Sequence, residues 1–153
     1  MPGTYAQILI QIVMAVRFRK AMISPAWEEE LYKYITGIVK GKGQKLLAIN
    51  GMPDHIHLLL GLRPECYIPD LVREIKKSSN SFVNKNKLTD QRFYWQGGYG
   101  AFSYGRSQMK QVVNYIENQK QIHRHRSMID EYIELLTRFE IEFKPEYLFE
   151  LID

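Results

Sequence analysis

A chain of 153 residues, 45% of them hydrophobic, is long enough to bury one core and too short for two ordinary domains. We therefore expect residues 1–153 to form a single domain. The sequence has no run of eighteen apolar residues and no basic-then-apolar leader, which argues against a membrane span or a signal peptide. A single cysteine, Cys66, excludes an internal disulfide and fits a reducing cytoplasm, where we expect the protein to reside.

Charge is distributed unevenly along the chain. Residues 1–126 contain 19 lysines and arginines against 9 aspartates and glutamates, whereas residues 127–153 contain 2 against 8. A basic body attracts polyanions, and nucleic acid is the commonest polyanion in a cytoplasm. A solvated basic surface with the acidic tail folded back onto it would explain the same distribution, so charge alone leaves both interpretations open.

The first predicted elements are a strand and a helix. Residues 4–18 are rich in β-branched side chains and predict a buried strand with a basic end. Ser24 can cap a helix with Pro25 at its first position, and apolar residues then recur every three or four positions. We expect this helix to end at Gly41 or Gly43.

A His-x-His stretch follows in the next strand pair. Asn50-Gly51 is a strong signal for a tight turn, because both residue types tolerate positive φ, and it predicts a hairpin whose second arm carries His55 and His57. Side chains alternate along a strand, so the two imidazoles share one face, which we expect to be exposed. The same alternation places Asp54 on the opposite face and favours a role for it in the turn. Paired imidazoles suit a metal ion or a phosphate.

The following elements complete a recognisable order. Pro69-Asp70 opens a second helix, and strand pieces at 92–95 and 101–104 flank a glycine-rich segment. The resulting order, β-α-β-β-α-β, predicts an α+β, ferredoxin-like antiparallel sheet with additional C-terminal helices.

Two helices are predicted after the sheet. One runs over residues 106–126, and its polar stripe places Tyr115 and Gln119 on the same face because they are four residues apart. The acidic segment 127–153 then forms a final helix, capped by Ser127, and an arm.

Three blocks of this sequence resemble the hallmark blocks of the single-tyrosine HUH transposases. They are MPDHIH at 52–57, WQGGYGAFS at 95–103 and VVNYIENQ at 112–119. These IS200-like enzymes of small bacterial insertion sequences include the REP-associated tyrosine transposases. The blocks occur in the family's order and the similarity spans nearly the whole chain.

The resemblance implies a metal-dependent transposase that cleaves and rejoins single-stranded DNA through a 5′-phosphotyrosine intermediate. Tyr115 matches the nucleophile, His55 and His57 match the metal ligands, and Gln119 matches a further ligand one helical turn on. The implied metal is Mg²⁺ or Mn²⁺, although imidazole ligands also accept zinc or nickel. The resemblance further implies a DNA hairpin near the cleavage site and a homodimer in which one subunit's tyrosine helix completes the other's histidine pair.

These residue types suit that chemistry. A phosphotyrosine keeps the energy of the broken bond, so rejoining needs no ATP. The glycines around Lys42 lack the spacing of a phosphate-binding loop, and we expect no nucleotide cofactor. Because a phenol titrates near ~10, it needs help at neutral pH. A divalent metal ion over the scissile phosphate would act as Lewis acid and template.

Seven basic residues are predicted to contact DNA, since basic groups beside aromatic side chains suit single-stranded nucleic acid. They are Arg73, Lys76, Lys77, Lys85, Lys87, Arg124 and Arg126. The aromatic residues at 93–99 are the stacking candidates, unless they fill the core. His123 and His125 alternate with the last two arginines and could suggest a second metal site, but positive charge is favoured at a helix C-terminus in any case.

Three other functions remain open from the sequence. Residues 98–104 partly resemble the aromatic signature of ferredoxin-like RNA-binding modules, although Gly97 and Ala101 depart from it. A metal hydrolase that activates bound water would not require Tyr115. A domesticated relative that nicks DNA without moving its own gene would carry the same residues as a transposase.

Overall fold

The computed structural model describes residues 3–148. In this part of the chain the strands are β1 (Leu9–Ala15), β2 (Lys45–Met52), β3 (His55–Gly61) and β4 (Gly100–Tyr104). The helices are α1 (Glu28–Gly41), α2 (Ile68–Lys85), α3 (Met109–Glu117), α4 (Gln119–Ile122), α5 (Met128–Arg138) and α6 (Pro145–Leu148). Within the described range, no helix is both long and apolar enough to span a membrane.

The four strands form one antiparallel sheet in the order β2-β3-β1-β4. Strand β1 pairs with β3 on one side and β4 on the other, so the two β-α-β halves interlock at the centre of the sheet. The predicted ferredoxin-like α+β fold is therefore confirmed. Its additional helices α3 to α6 follow the last strand.

Helices cover both faces of the sheet. On one face Ile12 and Leu58 pack in the large core beneath α1 and α2. On the other face Val13 packs with residues of α5, and Leu59 packs with residues of α3. Every residue of β1 is consequently buried, as the sequence predicts. The prediction that the His-x-His face is exposed is wrong, because α3 to α5 of the same chain lie over it.

The β2–β3 turn lies three residues beyond the predicted position. Asn50 and Gly51 belong to β2, and the turn residues are Pro53 and Asp54. The two turn carbonyls are held by the segment after β1, since Pro53 accepts a hydrogen bond from the N–H of Ile23. Gly51 is required here for close approach of the two backbones, and a Cβ at this position would lie 2.7 Å from the Cα of Ile56.

The predicted helix over 106–126 is divided at Asn118. This residue has φ −96° and ψ 17°, and it separates α3 from α4. The division is fixed by contacts with the sheet: the side-chain amide of Asn50 donates a 2.9 Å hydrogen bond to the Glu117 carbonyl, and the Lys120 ammonium donates to the Gly51 carbonyl. These contacts join residues nearly seventy positions apart, so helical periodicity could not predict them.

The predicted strand over 92–95 is a segment with one isolated bridge, between Trp95 and Val16. Phe93 and Trp95 are buried in the core beneath α2, and the Trp95 indole donates to Ser79 Oγ at 2.8 Å. Tyr94, which is 41% exposed, lies beneath the guanidinium of Arg92. Two of the aromatic stacking candidates thus fill the core.

Replacing Gly51 with alanine tests the close approach of β2 and β3. A Gly51→Ala side chain must displace β3 backbone, and we expect the free energy of unfolding to fall by about 1–3 kcal/mol or more, measured by urea denaturation. Gly61→Ala is the matched control in the same strand pair, because its Cβ would meet nothing closer than Lys45 Cβ at 3.7 Å. Equal stability of the two variants would contradict this explanation.

Candidate functional site

Strand β3 places two imidazoles side by side under the C-terminal helices. His55 and His57 are fully buried, and their ring centroids lie 5.1 Å apart with the planes at 78°. Helix α3 brings Tyr115 over the pair, with its ring centroid 5.9 Å from that of His57. The site therefore forms between the sheet and the helices that cover it.

A carboxylate from α5 lies at the centre of this group. Glu131 is 2% exposed, and one oxygen, Oε1, faces three imidazoles. Its distances are 2.9 Å to Nε2 of His57, 3.0 Å to Nε2 of His123 and 3.3 Å to Nε2 of His55. Three nitrogens from two different parts of the chain thus converge on one point.

The second carboxylate oxygen binds the two residues of the predicted polar stripe. Oε2 of Glu131 accepts hydrogen bonds from the Tyr115 hydroxyl and, at 2.9 Å, from the Gln119 amide nitrogen. The Gln119 amide oxygen lies 3.2 Å from Nε2 of His55. The break at Asn118 does not separate Tyr115 from Gln119, since both side chains reach the same carboxylate.

The outer nitrogens of two histidines have acceptor partners. Nδ1 of His55 lies 2.7 Å from Oδ1 of Asp54, and Nδ1 of His123 lies 2.7 Å from the carbonyl oxygen of Arg126. Each Nδ1 therefore donates a hydrogen bond, and Nε2 is the nitrogen directed into the site. Carboxylate or carbonyl partners of this kind orient metal-binding histidines. Asp54 lies in the turn as predicted, but it precedes β3, so strand alternation does not keep it from His55.

His57 is held through a buried glutamine on the central strand. Nδ1 of His57 accepts a 2.8 Å hydrogen bond from the side-chain amide nitrogen of Gln11, whose oxygen accepts a 2.6 Å hydrogen bond from the Tyr104 hydroxyl. Rotation of that amide by 180° would present its oxygen to Nδ1 and leave Nε2 free to bind a cation. Gln11 thus holds the ring of His57 with Nε2 toward the centre.

Burial and charge shift the pKa values of this cluster in opposite directions. Burial raises the pKa of Glu131, but its hydrogen bonds to the imidazoles outweigh that effect and hold it far below the usual range. Burial lowers the pKa of His55, yet the adjacent Asp54 and Glu131 raise it to about 9. For His57 burial prevails and lowers the pKa. Burial, reinforced by Glu131, raises the pKa of Tyr115, so the phenol is protonated.

The donors at this site fit a divalent metal ion. One ligand atom from each of His55, His57 and Glu131 lies within 4.8 Å of the others. Atoms bound at right angles to one ion at about 2.1 Å are about 3 Å apart, which is close to the observed spacings of 2.9 and 3.3 Å from Oε1 to the imidazoles. In addition, imidazole nitrogens that face a buried carboxylate are stabilised by a positive charge between them, and either a proton or a metal ion can supply it.

The basic residues predicted on α2 lie across the sheet from this cluster. Arg73 is paired with Asp70 at 2.7 Å, and Lys77 is exposed on the same helix. The Lys76 ammonium donates to the carbonyls of Gln96 at 2.8 Å and Gly98 at 2.6 Å. Lys76 therefore holds the glycine-rich segment in place.

The other predicted basic residues lie at helix ends. Lys85 and Lys87 are exposed at the C-terminal end of α2. Arg124 is exposed in the turn after α4, and Arg126 in the same turn pairs with Glu134 of α5. Of the predicted basic residues, only Arg124 and Arg126 lie close in sequence to His123, which belongs to the cluster around Glu131.

Sequence reasoning missed Glu131, although a signal for it exists. Met128, Glu131 and Leu135 follow each other at spacings of three and four, and all three are buried. An acidic residue on the apolar stripe of a helix is rarely buried without a partner. No corresponding signal distinguishes His123 from His125, because only the path of the turn directs the first inward and leaves the second exposed.

Known proteins similar to this chain include several transposases. Residues 4–119 match the family model described as "Transposase IS200 like". The chain is 26% identical over 122 residues to the ISDra2 transposase TnpA of Deinococcus radiodurans. The aligned region covers 76% of this chain and 87% of that protein.

Two solved structures share the fold. A crystal structure described as that of a transposase from Deinococcus radiodurans R1 has a TM-score of 0.64 at 26% identity, over 78% of this chain and 95% of that one. The structure of a REP-associated tyrosine transposase bound to a REP hairpin has a TM-score of 0.61 at 15% identity, over 100% of this chain and 93% of that one.

Removing the central carboxylate should destabilise the protein when no metal is present. In Glu131→Ala the buried imidazoles lose their counter-charge, and we expect the free energy of unfolding to fall by about 3–5 kcal/mol in urea denaturation with a chelator. Glu134→Ala, one turn along the same helix, removes two exposed ion pairs and should cost less than about 1 kcal/mol. A similar small loss in both variants would show that the cluster does not depend on Glu131.

Proposed function

The chain belongs to the IS200-like transposase family, and from this we propose that it cleaves and rejoins single-stranded DNA through a phosphotyrosine intermediate at Tyr115. One observation carries the proposal: the Tyr115 hydroxyl and the imidazoles of His55 and His57 meet at one buried carboxylate. A tyrosine that only packed against the core would not require a histidine pair and a carboxylate at its hydroxyl.

The proposed reaction transfers a phosphoryl group from a 3′-oxygen of the DNA backbone to the hydroxyl oxygen of Tyr115. The Tyr115 oxygen attacks the scissile phosphorus, the bond to the 3′-oxygen breaks, and a 5′-phosphotyrosine remains. The phenol proton leaves along its hydrogen bond to Glu131, and the departing oxygen takes up a proton to become a 3′-hydroxyl. Attack by another 3′-hydroxyl on the phosphotyrosine frees Tyr115 and joins a new strand.

We propose that His55, His57 and Glu131 hold a divalent metal ion, with the Gln119 amide oxygen as a further ligand. Their donor atoms are close enough to share one ion. When bound, the ion supplies positive charge to the phosphate oxygens and to the leaving 3′-oxygen. The family suggests Mg²⁺ or Mn²⁺.

The proposed substrate is single-stranded DNA with a hairpin near the cut, within a small insertion sequence. The similarity in fold to a REP-associated transposase bound to a REP hairpin supports the hairpin. We place DNA backbone contacts at Arg124 and Arg126, beside the cluster, and at Lys85 and Lys87 at the end of α2. Arg73, Lys76 and Lys77 would serve a hairpin that extends around the sheet.

A denaturing gel tests the nucleophile and the metal together. Protein mixed with single-stranded DNA from both flanks of its own gene and Mg²⁺ or Mn²⁺ should give a denaturant-resistant adduct. Tyr115→Phe or a chelator should reduce the adduct to background, whereas Tyr5→Phe, at a tyrosine that is 93% exposed, should not.

Other results of the gel would point to other functions. Cleavage without Tyr115 would instead indicate a hydrolase that uses bound water. DNA binding that survives both the Tyr115→Phe substitution and the chelator, with no covalent product, would favour a non-catalytic binding module.

We propose a homodimer on the basis of the family, and the contacts described here bear on whether its sites are shared. Tyr115 reaches His57 and Glu131 of its own chain, and Lys120 ties the following helix to Glu28 at 2.9 Å. These contacts support a site completed within each subunit, although the resemblance to the family implies a shared one.

Mixing two inactive variants distinguishes the two arrangements. Because the contacts lie within one chain, a mixture of Tyr115→Phe and His57→Ala proteins should stay inactive in the adduct assay, even after they are unfolded and refolded together. Recovery of activity in the mixture would show that tyrosine helices are exchanged between subunits.

A further inference from the structure

We propose that His123 is a third imidazole ligand of the metal ion, beside His55 and His57. The inference rests on the metal site of the proposed function and adds a residue to it. It also assigns a role to a histidine that lies outside the sequence blocks shared with the family.

The geometry places His123 in the same cluster as the histidine pair. Its side chain is 4% exposed, and its ring centroid is 4.7 Å from that of His55 with the planes at 68°. Its Nε2 lies 3.0 Å from Oε1 of Glu131, which is the spacing that His57 also has to within about 0.1 Å. Three imidazole nitrogens therefore lie within 3.3 Å of one carboxylate oxygen.

The hydrogen bonds of the ring orient His123 for binding a cation. Nδ1 of His123 donates to the Arg126 carbonyl, so Nε2 is the ring nitrogen that faces the cluster. Nε2 lies 3.0 Å from a carboxylate oxygen of Glu131, a contact that is favourable with a positive charge between the two atoms, supplied by a proton or by a metal ion. His55 has the same arrangement through Asp54. A divalent ion would satisfy all of these acceptors together.

The backbone explains why this histidine is directed inward. Helix α4 ends at Ile122, and His123 follows with its N–H bonded to the Gln119 carbonyl at 3.1 Å. The turn then leads to the Ser127 cap of α5, whose oxygen accepts from the Asp130 N–H at 3.1 Å. A turn fixed at both ends by helices that also carry Gln119 and Glu131 holds His123 in one orientation.

A third imidazole changes which metal the site prefers. Mg²⁺ favours oxygen ligands and keeps several waters, whereas imidazole suits Mn²⁺ and the later transition metals better. Three imidazoles and a carboxylate therefore predict tighter binding of Mn²⁺ than of Mg²⁺. Loss of one imidazole should reduce that difference.

Metal binding without DNA provides the test. Titration of the purified full-length protein with Mn²⁺ alone should show one site, weakened at least about tenfold in His123→Ala. His125→Ala is the matched control, because this exposed histidine lies two residues away in the same turn. Mg²⁺ affinity should change less than Mn²⁺ affinity in His123→Ala, which a general loosening of the turn would not produce. Equal losses for both ions, or no loss, would overturn the role.

Counting the bound nitrogens gives a second readout that does not depend on the alanine variant folding. Electron-nuclear double resonance of Mn²⁺ bound to ¹⁵N-histidine-labelled protein should detect three imidazole nitrogens in the unaltered chain and two in His123→Gln. Two nitrogens in both proteins would overturn the inference and leave the His55 and His57 site intact. Absence of Mn²⁺ binding by the unaltered protein would overturn the metal site of the proposed function as well.

Discussion

A carboxylate buried away from water needs donors or cations around it, and Glu131 imposes that requirement on this fold. Its partners come from β3, α3 and α4 and from the turn that precedes α5. Displacing any of these elements would leave a buried charge short of a partner. The packing of the C-terminal helices and the chemistry of the site therefore depend on the same contact.

The junction between α3 and α4 is also held by the β2–β3 hairpin, in addition to the contacts with Glu131. Asn50 holds the last carbonyl of α3, and Lys120 donates to Gly51 and pairs with Glu28 of α1. These bonds place the first residue of α4 close to the histidine strand. Hence a structural contact outside the site determines how closely Gln119 approaches His55.

The two faces of the sheet have different compositions, and the central strand β1 shows this most clearly. Toward α1 and α2 its side chains are apolar, whereas on the other face Gln11 lies between Val13 and Leu9. A buried amide is tolerated because it bonds to both His57 and Tyr104. The polar face is thus continuous with the site, and the apolar face stabilises the sheet that supports it.

The sequence by itself determined the order of the elements, the histidine pair on one strand face and the Ser127 cap of α5. Each of these depends on residues a few positions apart, through strand alternation, helical spacing or a local hydrogen bond. Only the tertiary structure decided that the tyrosine helix is divided at Asn118 and that Glu131 and His123 join the site. Glu131 lies 74 positions from His57, and the path of a turn directs His123. The physical reason is that a buried charge is satisfied by whichever donors the packed chain brings to it, and those donors are far apart in sequence.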